Sequence, residues 1–196
     1  MTILKKYCTS LFFLLSGFSA LSQEIGCSSM HGIGKVEMTD LNKMAFHTGV
    51  NISTEWFLQK EGLSLIIQPG YSKIQYDHID TLCGKYFIGV AILVRKYFSN
   101  SARTNFFFEV GPCANYLFWD KKGTVINGDQ VVKTKRNIGW NLGIYSLVGV
   151  KVRLSSTISF DIGLGASKDL NSDTVNENES IRIDRRVVVF GISKRF

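Results

Sequence analysis

The chain has 196 residues, of which 45% are hydrophobic and 12% aromatic, and carries a formal charge of +7. Beyond residue 22 no apolar run approaches the roughly 20 residues of a membrane-spanning helix, which excludes a helical membrane protein. The length fits one domain.

Residues 1–22 read as a secretory leader: Lys5 and Lys6, then an apolar run through Leu11, Phe12, Phe13, Leu14 and Leu15, then the small residues Ala20 and Ser22. The run is too short to span a bilayer. Neither Cys8 nor Cys27 stands where lipoprotein processing needs a cysteine. Cleavage would leave a domain of residues 23–196, and loss of Lys5 and Lys6 lowers the charge from +7 to +5. A basic exported chain meets anionic lipid headgroups rather than nucleic acid.

From residue 28 onward the chain alternates with a period of two, the mark of half-buried strands. Eight strands are predicted, at about 28–39, 45–58, 63–76, 84–98, 104–119, 137–152, 157–167 and 185–196. The first is the weakest; it is included because single-chain bacterial barrels have even strand counts. In the fourth, Ile88, Val90, Ile92, Val94 and Phe98 share a face opposite Phe87, Gly89, Ala91, Leu93, Arg95 and Tyr97. The fifth sets Phe106, Phe108, Val110, Pro112, Ala114, Tyr116 and Phe118 against Asn105, Phe107, Glu109, Gly111, Cys113 and Asn115. In the sixth, Trp140, Leu142, Ile144 and Val148 oppose Asn141, Gly143, Tyr145, Gly149 and Lys151, and in the seventh Ile158, Phe160, Ile162 and Leu164 oppose Ser159, Asp161, Gly163 and Gly165.

One face is thus large and apolar and the other is Gly, Ser, Asn and isolated charges. Small polar residues suit a narrow, crowded lumen, and aliphatics suit lipid. Each run exceeds the usual soluble strand of about 5–6 residues and matches the about 9–11 residues of a tilted transmembrane strand. Connections alternate between short (60–62, 99–103, 153–156) and longer, with 77–82 of medium length and 120–136 and 168–184 long. The prediction is an all-β, eight-stranded antiparallel up-and-down transmembrane barrel with short periplasmic turns and longer outer loops, in the cell outer membrane. The last strand ends on Phe196, an aromatic suited to the membrane–water interface, and is read as the signal for the barrel assembly machinery.

Segments 85–98 and 107–112 resemble the central strands of the porin-family outer-membrane barrel domain, which includes PorT-like proteins of Bacteroidota-type bacteria. Residues 65–71, with Gln68-Pro69, resemble that family's third strand and 190–196 its closing strand; Lys194 stands where that strand usually has an aromatic. The resemblance implies a fold and a location, not an activity.

The candidate site residues are lumen charges with a structural role: Glu55, Arg95, Glu109, Lys151 and Asp161, with Arg185 and Arg195. Buried charges survive in pairs, so Arg95 is paired with Glu109 across the 99–103 turn, with Arg95 nearly opposite Phe107 and diagonal to Glu109. Lys151 is paired with Asp161. A salt-bridged plug and a substrate-conducting constriction are both open readings. His31, His47 and His78 match no metal-ligand spacing, and Asp77, His78 and Asp80 would hold a cation weakly at most. Cys27, Cys83 and Cys113 are expected as free thiols, with Cys113 beside Gly89. His47 and Ser53 share a lumen face, but no catalytic motif accompanies them. No cofactor, metal or catalytic residue is assigned. The expected function is a monomeric, non-enzymatic membrane barrel acting through its outer loops; the alternatives are a narrow pore or PorT-like transport component, and a lipid-modifying enzyme.

Overall fold

The computed structural model describes residues 24–38, 41–58, 62–98, 103–126, 129–170, 173–176 and 179–196. Alternation imposes strands over most of the chain. They are β1 (Glu24–Met38), β2 (Leu41–Leu58), β3 (Leu63–His78), β4 (Thr81–Tyr97), β5 (Thr104–Ile126), β6 (Asp129–Arg153), β7 (Ile158–Asp169), the short β8 (Asp173–Asn176) and β9 (Glu179–Arg195). Neighbours in sequence pair antiparallel, β7 pairs with β9, and β9 pairs with β1 from Glu24↔Arg195 to Glu37↔Arg182. That last ladder closes an eight-stranded barrel, and β8 is a short addition to the far end of β9.

Both chain ends of the barrel lie at one rim, called here the terminal rim. Gly62 turns the chain between β2 and β3 there with φ of 61°, a conformation that costs glycine little, and its carbonyl accepts a hydrogen bond from the Tyr97 amide at 2.8 Å. The opposite rim is the far rim.

The faces fall as the alternation requires. Ile88, Val90, Ile92, Val94, Phe106, Phe108, Trp140, Leu142, Ile144, Val148, Ile162 and Leu164 are exposed on the outer wall. Inside, one row runs Asn51–Gly70–Gly89–Asn115–Asn141 across five strands. A Cβ on Gly70 would lie 1.8 Å from Asn51 Oδ1, and one on Gly89 2.3 Å from Asn115 Oδ1. The glycines are therefore the space into which the two amides fold. An eight-stranded barrel has room for its own side chains and little else, which explains the small residues of this face.

Four expectations require correction. The first strand starts at Glu24, not at residue 28: Glu24 points inward to a lysine, so its charge does not mark a chain outside the barrel. The regions expected as long outer loops, 120–136 and 168–184, are largely strand. β5 and β6 continue as a paired ribbon to Ile126↔Asp129, and β7, β8 and β9 cover most of the second region. Backbone pairing needs no apolar face, so a charged, β-branched stretch such as Val131, Val132 and Thr134 stays in the ladder. Arg95 lies directly opposite Glu109, with Tyr97 opposite Phe107, and Cys113 lies opposite Ala91 rather than Gly89. Both of these are the same two-residue slip, caused by placing the 99–103 turn too tightly. The leader and the loop positions Ile79 and Asp80 fall outside the described residues.

Candidate functional site in the barrel lumen

The lumen is stacked in layers because each inward position on a strand meets its counterparts on seven others. Nearest the terminal rim is an ionic layer. Register puts Arg95 of β4 against Glu109 of β5, and Lys151 of β6 against Asp161 of β7. The side chains then reach beyond their own pairs. Arg95 Nε donates to Glu109 Oε1 at 2.6 Å, its Nη1 to Glu55 Oε2 at 3.0 Å and to the Tyr97 hydroxyl at 2.9 Å, and its Nη2 to Asp161 Oδ2 at 3.4 Å. Lys151 bridges Glu55 at 3.1 Å and also Glu24, so its charge is spread over β1 and β2, while its register partner Asp161 is bonded to Arg95. Glu55 accepts four bonds: from Ser64 at 2.5 Å, Tyr97 at 2.7 Å, Arg95 and Lys151. Ser193 donates to Glu24.

This layer rests on aromatic rings. The Arg95 guanidinium lies 4.2 Å from the Phe107 centroid, Lys151 lies 5.7 Å from that of Phe57, and Phe57 stacks on Tyr97 at 6.0 Å. A cation over a ring face is attracted to its quadrupole, so the rings hold the charges without adding another. Arg195, expected in the lumen, is exposed at the rim with its guanidinium 4.8 Å from Phe57.

Above the ions is an apolar layer of Met30, Ile66, Leu93, Phe107, Cys113, Tyr145, Leu147, Val187 and Val189. Next comes a polar cavity of about 60 Å³ whose lining includes His47, Asn51, Gln68, Asn115, Ser167 and Arg185. A water's share of liquid is about 30 Å³, so the cavity is of the scale of a few waters. A second apolar layer, Val36, Ala45, Ile74, Tyr76, Cys83, Phe87, Leu117 and Ile183, closes the far side.

The far half holds an ion pair that sequence reasoning missed. Lys85 Nζ bonds Asp120 Oδ2 at 2.8 Å, and both side chains are buried. Strict alternation points Asp120 outward, with Phe118. A bulge between Leu117 and Trp119, where Gly139 on β6 takes φ of 145°, shifts the register and turns Asp120 in. The available signal was Lys85 itself, which shares parity with Phe87 and so demands a buried anion. Asn141 likewise donates to Asp169 at 2.9 Å, and Arg185 stands 3.9 Å from Asp169.

His47 and Ser53 are six residues apart on one strand, about 20 Å at 3.3 Å per residue. Among the described residues no three His, Cys, Asp or Glu stand close enough to hold a metal ion, and Cys27, Cys83 and Cys113 are not joined in disulfides.

No family model matches the chain, and no curated protein matches it in sequence. Solved structures do match in shape. Neisserial surface protein A superposes with a TM-score of 0.52 at 14% identity, covering 88% of this chain and 96% of the other. The outer membrane enzyme PagL gives 0.54 at 17%, covering 85% and 97%. A major outer membrane protein from Thermus thermophilus gives 0.55 at 12%, covering 88% and 98%. At such identities the likeness carries the fold alone, and that fold, a closed eight-stranded antiparallel barrel with an apolar outer wall, is the one found in small outer-membrane proteins.

Proposed function

We propose that the chain is exported by its first 22 residues and spans the outer membrane as a non-enzymatic, non-conducting barrel that works through its outer surface and far rim. In this orientation the terminal rim is periplasmic and the far rim external. The observation that supports the reading is the stoppered lumen: four carboxylates and two cations tied across the barrel, on aromatic rings, beneath an apolar layer. Ion passage would require breaking hydrogen-bonded charge pairs in a low-dielectric interior, where an unpaired charge is costly. A pore or PorT-like transport role would need that stopper to open. The separation of about 20 Å between His47 and Ser53 along their strand gives no support to lumen catalysis.

The test is reconstitution into planar bilayers, beside heat-modifiable mobility on a gel to show the folded barrel. The expected result is a heat-modifiable band and no conductance steps. Steady steps of a defined size from the folded protein would overturn the closed-lumen reading in favour of the pore.

A further inference from the structure

The outer wall is not the same all round, and the difference points to a lipid site; this inference rests on the membrane reading above. On the β3–β6 side, toward the far rim, one cross-strand row runs Tyr71–Ile88–Tyr116–Trp140 and the next sets Lys73 beside Tyr86 and Trp119. The rings meet in pairs, Tyr71 with Phe118, Tyr86 with Trp119 and Tyr116 with Trp140, at centroid distances of 6.4, 5.4 and 5.1 Å. This is an aromatic girdle of the kind that seats a barrel at the membrane interface.

The β1–β9–β7–β6 side has no such cluster among its described residues. Its corresponding rows are Lys35–Asp184–Lys168–Ile144 and Ile33–Arg186–Ala166–Ser146. Ala166 and Ser146 are short beside Phe108, Ile144 and Leu164, and the wall is hollowed there into two adjoining troughs of about 500 and 570 Å³ that share Ile33, Ser146, Ala166 and Arg186. Lys35, Asp184, Lys168 and Arg186 border the trough nearer the far rim; the other is walled mainly by apolar side chains, among them Phe108, Val148, Leu164 and Val188.

We propose that this groove binds one lipid carrying a phosphate monoester on its headgroup, with an acyl chain in the trough and the phosphate against Arg186 and Lys168. The charge fits. Of the four basic residues that line this trough, Arg185 is buried in the lumen 3.9 Å from Asp169; among the described residues, Lys35, Lys168 and Arg186 outnumber the carboxylate of Asp184 at the wall by two, and a phosphate monoester carries about −1.5 to −2 at neutral pH. A guanidinium also presents paired donors that match phosphate oxygens. Charge on a lipid-facing wall is tolerated near the interface and costly deeper in; at the head of an apolar trough it is where a headgroup phosphate would meet it.

The test uses the full mature chain folded into detergent micelles, with native mass spectrometry after addition of phosphatidic acid or phosphatidylcholine. Wild type should retain phosphatidic acid at least about tenfold better, the preference expected of two cations facing one phosphate. Each of Arg186→Gln and Lys168→Gln should weaken that retention about fivefold, in keeping with the contribution of one cation to anionic-lipid binding. Ala166→Trp, which fills the trough and keeps every charge, should also lose it. Lys73→Gln, on the aromatic side with its ammonium 5.5 Å from the Tyr86 centroid, should bind as wild type. Equal retention of the two lipids, or equal loss in Lys73→Gln and Arg186→Gln, would overturn the site and leave only diffuse attraction. Heat-modifiable mobility is recorded for each protein. A wild type that folds but does not discriminate defeats the lipid site alone, whereas one that does not fold into micelles or bilayers defeats the membrane reading and the site with it.

Discussion

The two polar layers of the lumen are built in opposite ways. In the layer near the terminal rim, Glu55 accepts four hydrogen bonds and Arg95 donates to four groups on as many strands. In the central cavity, neither ring nitrogen of His47 has a hydrogen-bond partner among the described residues, nor do Asn115 Nδ2, Arg185 Nε and Arg185 Nη2. Both layers are buried, and the first leaves one oxygen, Asp161 Oδ1, without a hydrogen bond among the described residues. A buried polar group without a partner costs about 1–3 kcal/mol, so the first layer contributes cohesion while the second drains it, unless waters fill the cavity. The lesson is that counting lumen charges says little; how completely each is bonded decides whether it closes the barrel or loosens it.

The largest effect should come from breaking the ionic layer. Arg95→Met strands Glu55, Glu109 and Asp161 without their shared cation. Loss of one member of a buried pair costs about 3–5 kcal/mol, and urea unfolding in lipid vesicles should register a loss of that order. Arg95→Met combined with Glu109→Leu should cost less than the sum of the two single changes, because the double change removes a cation and an anion together. Strictly additive costs would mean that the two are not coupled and that the layer is not a unit. Lys85→Met makes the same test in the far half. It leaves Asp120 buried without its cation, and the Lys85→Met, Asp120→Leu double variant should recover most of the stability.

A smaller effect belongs to the wall that encloses both layers. Ile92→Arg places a charge on the exposed apolar face, at a cost of about 2–4 kcal/mol at mid-bilayer. The expected outcome is a lowered folded yield in vesicles, read by heat-modifiable mobility. Normal insertion would show that this face does not meet lipid.

The wall and the ionic layer were largely legible in the sequence. A period of two sorts Ile88, Val90 and Ile92 from Gly89 and Ala91 without knowledge of neighbours. Opposite charges flanking short turns, Arg95 with Glu109 and Lys151 with Asp161, follow from hairpin geometry. What was not legible depends on contacts remote in sequence or on broken alternation. Glu24 binds Lys151 across the closure of β1 with β9, which no local pattern encodes. Asp120 enters the lumen through a bulge that reverses its parity. The far ribbon of β5 and β6 escaped notice because its charged residues lack the apolar face by which a strand is recognised, although they keep the backbone ladder. The unpartnered state of His47 is likewise a property of the row it meets: its neighbours across the strands are Gly32 and Ile74, and neither side chain can accept or donate.

The least effect, and the sharpest test of the contrast, is expected at His47. Its ring is buried between two apolar layers with both nitrogens unbonded, so His47→Leu removes a desolvated polar group and leaves no partner stranded. Replacing an unsatisfied group by an apolar one of similar size is nearly neutral or stabilising. Unfolding in vesicles should therefore show His47→Leu to be at least as stable as wild type, in contrast to the loss from Arg95→Met. Arg185→Met should cost more than His47→Leu, because Arg185 keeps a carboxylate 3.9 Å away in Asp169, and less than Arg95→Met, because that carboxylate also accepts from Asn141. If His47→Leu instead destabilised the barrel by as much as Arg95→Met, His47 would be firmly bonded to water held in the cavity. The central layer would then be as well bonded as the ionic one, and the contrast between the two would be lost.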